Sequence, residues 1–419
     1  MPNLRVLKWD PSILSRDRLL GFPPTILLIH RFLTPSLVSL SVSVTETADG
    51  TLQSFLIRHP FLCPNLTSIT VDLGGRENES RTTIEILSQA ITRYEHLEQL
   101  DISAPMDDAA LTHVAMSPKL KMIAIILQAK PKVCIPSDIT PFRNVQDLQM
   151  EVWDLDFFTT LLRPQDQMFR SFALSYRSKT TIESVSSFFA ALASRQRTHS
   201  LRSIRFSPNL SKDGVPFSMS SEIWYLSFYP YFLSFDTFRP LASLSHLRQL
   251  HLDFVLCISL DDDDLISMAR NWPSLQVLHL NPKSRFEGEA EFVYPSTLPD
   301  VKYVTLQGLV SLIECCPDLR ELCLPIDARE VPDCDMPNVV CHPALWQLRF
   351  PDSPISDARL VQGVLTRYFP SVSNVRYSFE LSSDPDGDDE EIVGYHDLWD
   401  AVNVHLLERH FPPLERSEL

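Results

Sequence analysis

One short pattern of apolar and polar residues returns along the chain. WPSLQVLHL at 272–280 is matched by CPNLTSITV at 63–71, CPDLRELCL at 316–324 and HPALWQLRF at 342–350. Each phrase carries three apolar residues at the spacing L-x-x-L-x-L, and the last two are two residues apart, as on one face of a β-strand. The phrases that fit this pattern begin at Leu4, Leu37, Leu66, Leu97, Leu120, Val145, Phe169, Leu201, Leu247, Leu275, Leu319, Leu345 and Val372.

Segments with helical period alternate with these phrases. DLISMARNW at 264–272 places its apolar residues on one stripe of a helix, and TLQGLVSLIECC at 305–316 does the same. Thr305 and the run Asp261–Asp264 are residue types that favour a helix N-terminus. A proline follows each stripe, where a helix cannot continue. Each unit is therefore predicted to be a helix, a proline turn and a short strand.

The spacing of the phrases predicts the fold class. Most successive phrases begin 23 to 33 residues apart. A recurrence of about 20–30 residues with this apolar pattern is typical of leucine-rich repeats. We predict an α/β leucine-rich-repeat solenoid of the irregular, ribonuclease-inhibitor-like type that carries cysteines. Its curved parallel sheet would line the concave side, and its helices would line the convex side.

We predict one solenoid over residues 1–419, with two interruptions. The first is an aromatic insert at about 207–236, which either packs on the edge of the solenoid as an irregular repeat or forms an interaction loop. The second is an acidic loop, SSDPDGDDEE, at about 382–391. A capping helix over about 396–409 is expected to close the array.

Composition narrows the class of protein. The chain has a net charge of -16, which disfavours binding to nucleic acid, and no apolar run is long enough to span a membrane. No secretory signal pattern opens the sequence, so a cytoplasmic or nuclear location is expected. The eight cysteines are then expected to be reduced and mostly buried. Only 10 glycines stand against 32 prolines, which leaves little material for glycine-rich phosphate loops.

The candidate binding site lies on the outward positions of the strands. The residue between the last two apolar positions is mixed in the first seven phrases. In the last six phrases it reads Arg205, His251, His279, Cys323, Arg349 and Arg376. The partner-binding residues predicted from this pattern are Arg205, His251, His279, Arg349 and Arg376. They would form a groove for an acidic or phosphorylated segment; the alternative is a scatter of solvated residues with no shared ligand.

A cysteine-rich segment near the C-terminal end is the main candidate for chemistry. It contains Cys315, Cys316, Cys323, Cys334, Cys341 and His342. Their spacing lacks the paired knuckles of zinc modules, so buried thiols and no metal are expected. No motif of a hydrolase, metalloprotease or nucleotide-binding loop is present in the sequence. We therefore predict no catalytic residue and no cofactor.

The chain resembles the leucine-rich-repeat part of fungal F-box proteins. The resemblance is strongest over 237–406 and is carried by TFRPLASLSHLRQLHLDF (237–254), DDDDLISMARNWPSLQVLHL (261–280), TLQGLVSLIECCPDLRELCLPID (305–327), HPALWQLRFPDSPISDARLVQGVLTRYFPSVSNV (342–375) and WDAVNVHL (399–406). It implies the target-binding part of a substrate receptor for a cullin-type ubiquitin ligase.

The F-box itself is expected to be missing. The sequence begins within a repeat phrase, PNLRVLKW, and RLLGFPPTILLIHRFL at 18–33 is too short and too interrupted by proline for that helical module. We therefore expect a non-enzymatic module that binds a protein target and does not itself bind the ligase adaptor. The alternatives are a repeat-only scaffold without a ubiquitin link, or an enzyme that uses the Cys/His-rich C-terminal region.

Overall fold

The computed structural model describes most of the chain. The described residues are 3–10, 26–43, 49–73, 81–127, 140–162, 168–177, 180–195, 200–208, 232–254, 257–282, 302–331, 341–378 and 390–410. The chain divides into two compact units. Unit 1 comprises Met1–Lys179 with Ser194–Ser200, and unit 2 comprises Thr180–Ala193 with Leu201–Leu419. Both units are α/β.

The described part of unit 1 contains seven parallel strands in chain order. They are β1 (Val6–Trp9), β2 (Ser39–Ser43), β3 (Ser68–Asp72), β4 (Gln99–Met106), β5 (Met122–Leu127), β6 (Asp147–Val152) and β7 (Ser171–Tyr176). Each strand pairs in parallel with the next. The connections include a 3-10 helix at Ile26–Arg31 and the α-helices α1 (Asp49–Leu62), α2 (Arg81–Ile91), α3 (Asp108–Met116) and α4 (Leu155–Leu161).

Unit 2 repeats the arrangement with more irregular connections. Its strands are β8 (Ser203–Pro208), β9 (Phe232–Leu233), β10 (Gln249–Leu252), β11 (Cys257–Ile258), β12 (Val277–Leu280), β13 (Val304–Thr305), β14 (Glu321–Cys323), β15 (Ile326–Asp327), β16 (Gln347–Pro351) and β17 (Val375–Ser378). The main sheet of the unit runs β8-β10-β12-β14-β16-β17, all parallel. Two small parallel pairs, β9 with β11 and β13 with β15, lie apart from it.

The helices associated with unit 2 follow the same alternation. They are α5 (Ile182–Arg195), whose last two residues fall in unit 1, α6 (Phe235–Phe238), α7 (Asp262–Ala269), α8 (Leu306–Cys315), α9 (Ala358–Tyr368) and α10 (Glu390–His410), with a 3-10 helix at Arg239–Ser243. No helix among the described residues has both the length and the apolar character needed to cross a membrane.

Every apolar phrase of the sequence coincides with a strand. The prediction of parallel strands backed by helices is therefore confirmed at the level of an α/β fold. The periodicity also identifies the core: Leu278 and Leu280 are 1% exposed, and the equivalent Leu250 and Leu252 are fully buried. Burial of such side chains contributes about 1.5–3 kcal/mol each before the entropic cost of ordering the chain.

Backbone hydrogen bonds join successive phrases in a repeated way, which we call the double-amide link. In each link, two consecutive backbone amides donate to the same carbonyl of the preceding phrase. The two amides belong to the residues directly before the first inward-facing residue of the strand. The amides of Gln276 and Val277 both donate to the Arg248 carbonyl, and those of Arg320 and Glu321 both donate to the Gln276 carbonyl. Within unit 1 the same link recurs between its successive phrases, from Arg5 to Ser171. The link uses no side chain, so the spacing of the strands is set by the backbone.

Proline turns follow α7, α8 and α9 as the sequence predicts, but the stop expected at Arg58-His59-Pro60 is wrong, because α1 contains Pro60 and continues to Leu62. After α7, the Leu275 amide donates to the Trp272 carbonyl at 3.0 Å, which closes the turn before β12. The thiol of Cys316 sits fully buried at the end of α8, 3.6 Å from the same Trp272 carbonyl. A small buried cysteine at a helix end therefore contacts the proline turn that follows the preceding helix, α7.

Helix boundaries differ from the sequence prediction in two places. The helix predicted over 264–272 spans Asp262–Ala269, because Asp261 is the N-cap of a capping box and the following aspartates fill the first turn. The closing helix spans Glu390–His410 rather than 396–409. Most of the predicted aromatic insert (209–231) and acidic loop (382–389) lie outside the described residues. A single solenoid over the whole chain stays a prediction.

Candidate functional site

The predicted binding residues lie side by side on the main sheet of unit 2. The strand register pairs Arg205 with His251, His251 with His279, His279 with Cys323, Cys323 with Arg349, and Arg349 with Arg376. We call these six residues the basic row. Adjacent strands lie about 4.8 Å apart, so the basic row extends over about 24 Å.

Alternation along each strand orients the basic row away from the core. Ile204 and Phe206 flank Arg205 and are fully buried beneath it. Phe206 packs on Phe254 with ring centroids 5.2 Å apart, as part of an aromatic cluster under β8 and β10. A rigid apolar base of this kind holds the outward side chains in place.

Exposure varies along the basic row. Arg205 and Arg376, at the two ends, are exposed. His251, His279 and Arg349 are half-buried, and Cys323 is 1% exposed. The middle of the basic row is therefore a shielded surface in which charges are less screened than at its ends.

Two histidines form the centre of the basic row. The rings of His251 and His279 meet edge to face, with centroids 4.4 Å apart. Nε2 of His279 is buried and makes no hydrogen bond. The nearest carboxylate, Oε2 of Glu321, lies 3.7 Å from it, too far for a hydrogen bond, and the contact is an ion pair only when the imidazole is protonated.

Both imidazoles are neutral near pH 7. Burial, with the Arg205 guanidinium as a second cause, lowers the pKa of His251 to about 4. Burial lowers the pKa of His279 to about 4 as well, and His251, Arg349 and Arg205 add to the effect. The sequence pattern suggests five positive side chains, but the structure leaves the permanent charge of the basic row to its three arginines.

Arg349 and Cys323 complete the centre of the basic row. Nη1 of Arg349 donates to the Pro282 carbonyl at 3.3 Å, at the end of β12, so the side chain reaches back toward the histidines. Burial raises the pKa of the Cys323 thiol to about 12, with Asp253 adding to the rise and Arg349 opposing it. Cys323 is thus an uncharged spacer between His279 and Arg349.

Sequence reasoning missed the acidic residues around the basic row. Glu321 precedes Cys323 by two residues, and Asp253 follows His251 by two, so both face the same side as the basic row. An alignment of the basic-row position alone does not reveal these two carboxylates. An alignment of the positions two residues before and two residues after it does.

In the described part of the Cys/His-rich segment, His342 and Cys316 are buried and contact the backbone. The Leu345 amide donates to Nδ1 of His342 at 3.2 Å, so Nε2 carries the proton and donates to the Cys316 carbonyl at 3.2 Å. Burial raises the pKa of the Cys316 thiol to about 12, which keeps it protonated. Across the described residues, no three metal-binding side chains come together. Cys334 lies outside the described residues.

Comparison with known proteins assigns no family to the chain. No family model matches the chain, and no curated protein matches it.

Proposed function

We propose that the chain is a leucine-rich-repeat module that binds a protein target through the basic row. In this proposal the helix-turn-strand units stack as an irregular solenoid, with the strands on its concave side. The agreement between phrases and strands supports the repeat, and the double-amide link supports stacking from neighbour to neighbour.

The observation that carries the proposal is the position of the basic row on adjacent strands. Three guanidiniums and two imidazoles share one surface of a protein whose net charge is -16. Forked guanidinium donors bind carboxylate and phosphate groups in two-point contacts. An acidic or phosphorylated segment of a target protein is the ligand that this surface suits best.

The wider role that we propose follows from the sequence resemblance. A target-binding repeat region of this kind is similar to the recognition part of an F-box-type substrate receptor in a ubiquitin ligase. A scaffold without a ubiquitin link would use the same surface, so binding at the basic row is the step to test first.

The test compares acidic and basic peptide pools on the purified chain. We expect the acidic pool to bind, and we expect Arg349→Glu/Arg376→Glu to weaken its binding at least tenfold, on the order of 1.4 kcal/mol or more. The matched control is Arg270→Glu/Arg359→Glu, which reverses two exposed arginines at helix ends of the same unit. Equal binding of the two pools, or equal losses in both variants, would contradict the proposal.

A further inference from the structure

Besides its three charged arginines, the basic row contains two neutral histidines that can take up a proton. His251 and His279 are in edge-to-face contact at 4.4 Å in the middle of the row. Arg205 lies on one side of the pair, one strand from His251. Arg349 lies on the other side, two strands from His279, and its guanidinium reaches back to the end of β12.

The histidine pair is partly shielded from solvent, and Nε2 of His279 is available to form a hydrogen bond. The side chain of His279 is 15% exposed, and its Nε2 makes no hydrogen bond. A polar atom buried without a partner is unfavourable, and a negatively charged acceptor nearby would offset that cost most fully if the nitrogen carried a proton.

We propose that the basic row takes up a proton when it binds its acidic partner, and that the His251–His279 pair holds that proton. The proposal rests on the function proposed above and adds its regulation by pH. One imidazole becomes an imidazolium and donates to an anionic oxygen of the partner, while the other stays neutral because two cations in ring contact repel each other.

The free protein opposes this protonation for two reasons, and binding removes the electrostatic one. Burial and the adjacent guanidiniums hold the pKa of each imidazole at about 4. A bound carboxylate places negative charge beside Arg205 and Arg349 and cancels their repulsion of a proton. The imidazole pKa therefore rises in the complex.

Other charged groups around the pair act in known directions. On β14, the Glu321 carboxylate lies 3.7 Å from Nε2 of His279 and favours protonation, while the Cys323 thiol is neutral. Directly after β10, the buried Asp253 also carries a carboxyl group. On β8 and β16, Arg205 and Arg349 oppose protonation until the partner neutralises them.

Thermodynamic linkage gives the sign of the pH effect. If binding raises the proton affinity of the pair, protonation raises the affinity for the partner by the same factor. Binding must therefore strengthen as pH falls. The effect reaches at most tenfold per pH unit for one proton.

The experiment measures binding of an Asp/Glu-rich peptide pool at pH 7.5 and pH 6.0. Carboxylates of the pool stay ionised over this range because their pKa is about 4. We expect the affinity of the wild-type chain to rise about two- to thirtyfold from pH 7.5 to pH 6.0. We expect His251→Gln/His279→Gln to bind with the same affinity at both pH values. The control His405→Gln changes a histidine of α10 whose side chain is 42% exposed, and it should keep the wild-type pH dependence.

A second measurement needs no variant and stands if the double variant fails to fold. Calorimetric titration of the wild-type chain at pH 6.0, in two buffers of different ionisation enthalpy, counts the protons taken up. An uptake of about 0.5–1 proton supports the proposal, and an uptake near zero overturns it.

The outcomes separate the two proposals. Binding of the acidic pool that does not change with pH, or that changes equally in the histidine double variant, overturns the proton uptake and leaves the proposed function in place. Failure of the acidic pool to bind at either pH overturns both.

Discussion

At the residue scale, one glycine makes room for a contact between two successive helices, α7 and α8. Asp262, in the first turn of α7, accepts hydrogen bonds from the backbone amide of Thr305 at 2.7 Å and from its hydroxyl at 2.6 Å. Thr305 is the N-cap of α8, and its hydroxyl oxygen accepts hydrogen bonds from the amides of Gln307 and Gly308. A Cβ at Gly308 would lie 2.1 Å from Oδ1 of Asp262, so only glycine fits beside this contact.

We predict that Gly308→Ala destabilises unit 2. The Asp262 side chain must rotate away and lose its bonds to Thr305, which costs about 1–3 kcal/mol, more than the gain of up to about 1 kcal/mol in helix propensity. Urea unfolding followed by circular dichroism measures the difference. Gly363→Ala is the matched control, because nothing lies within 4 Å of its added methyl group, and a gain of about 0.5–1 kcal/mol is expected. Equal effects at the two glycines would show that the contact does not matter.

At the element scale, the last helix protects the last strand. Strand β17 pairs with β16 on one side. On its other side, the Asn403 side chain of α10 accepts from the Val375 amide at 2.7 Å and donates to the Val375 carbonyl at 2.9 Å. One side-chain amide thus takes the place of a neighbouring strand. An uncovered strand edge is a site for unwanted pairing between molecules.

We predict that Asn403→Leu exposes this edge. Both Val375 backbone groups lose their partner, and the free energy of unfolding should fall by about 1–3 kcal/mol. Hydrogen exchange at the Val375 amide should accelerate by more than the change in global stability accounts for. Val404→Ala, at an adjacent position that is 53% exposed, should leave that exchange unchanged. Unaltered protection of Val375 in Asn403→Leu would contradict the role given to Asn403.

The sequence predicts these elements unevenly, and the reasons are physical. Strand alternation and helix caps are local, so the phrases and the N-caps Asp261 and Thr305 can be found from spacing. The two-residue pairs, such as β9 with β11, are too short to show a period. The bond from Asn403 to Val375 joins residues 28 apart in the chain, and no local rule predicts it. The basic row can be aligned from the phrases, whereas the neutrality of its histidines depends on burial in three dimensions.

At the scale of the whole molecule, buried histidines link folding to pH. Burial, with His30 adding to it, lowers the pKa of His59 in unit 1 to about 3, and the pKa values of His251 and His279 in unit 2 are about 4. In the unfolded chain, a histidine has a pKa of about 6.5. Between these values the unfolded state binds more protons, so stability is present above pH 6.5 and is lost as pH falls toward 4.

We predict that both units lose stability between pH 7 and pH 5. Each buried histidine contributes up to about 1.4 kcal/mol per pH unit below 6.5, and carboxylates add little until pH approaches about 4. Urea midpoints at pH 7.5, 6.0 and 5.0 measure the loss. His405, whose side chain is 42% exposed, supplies the comparison, since His405→Gln should keep the same pH slope. A midpoint that stays constant down to pH 5.0 would rule out burial of neutral imidazoles.

The double-amide link has a consequence for engineering. Since the links consist of main-chain bonds, the outward side chains at positions 205, 251, 279, 349 and 376 take no part in them. New side chains installed there are expected to change the charge and shape of the surface while the links between the strands are retained.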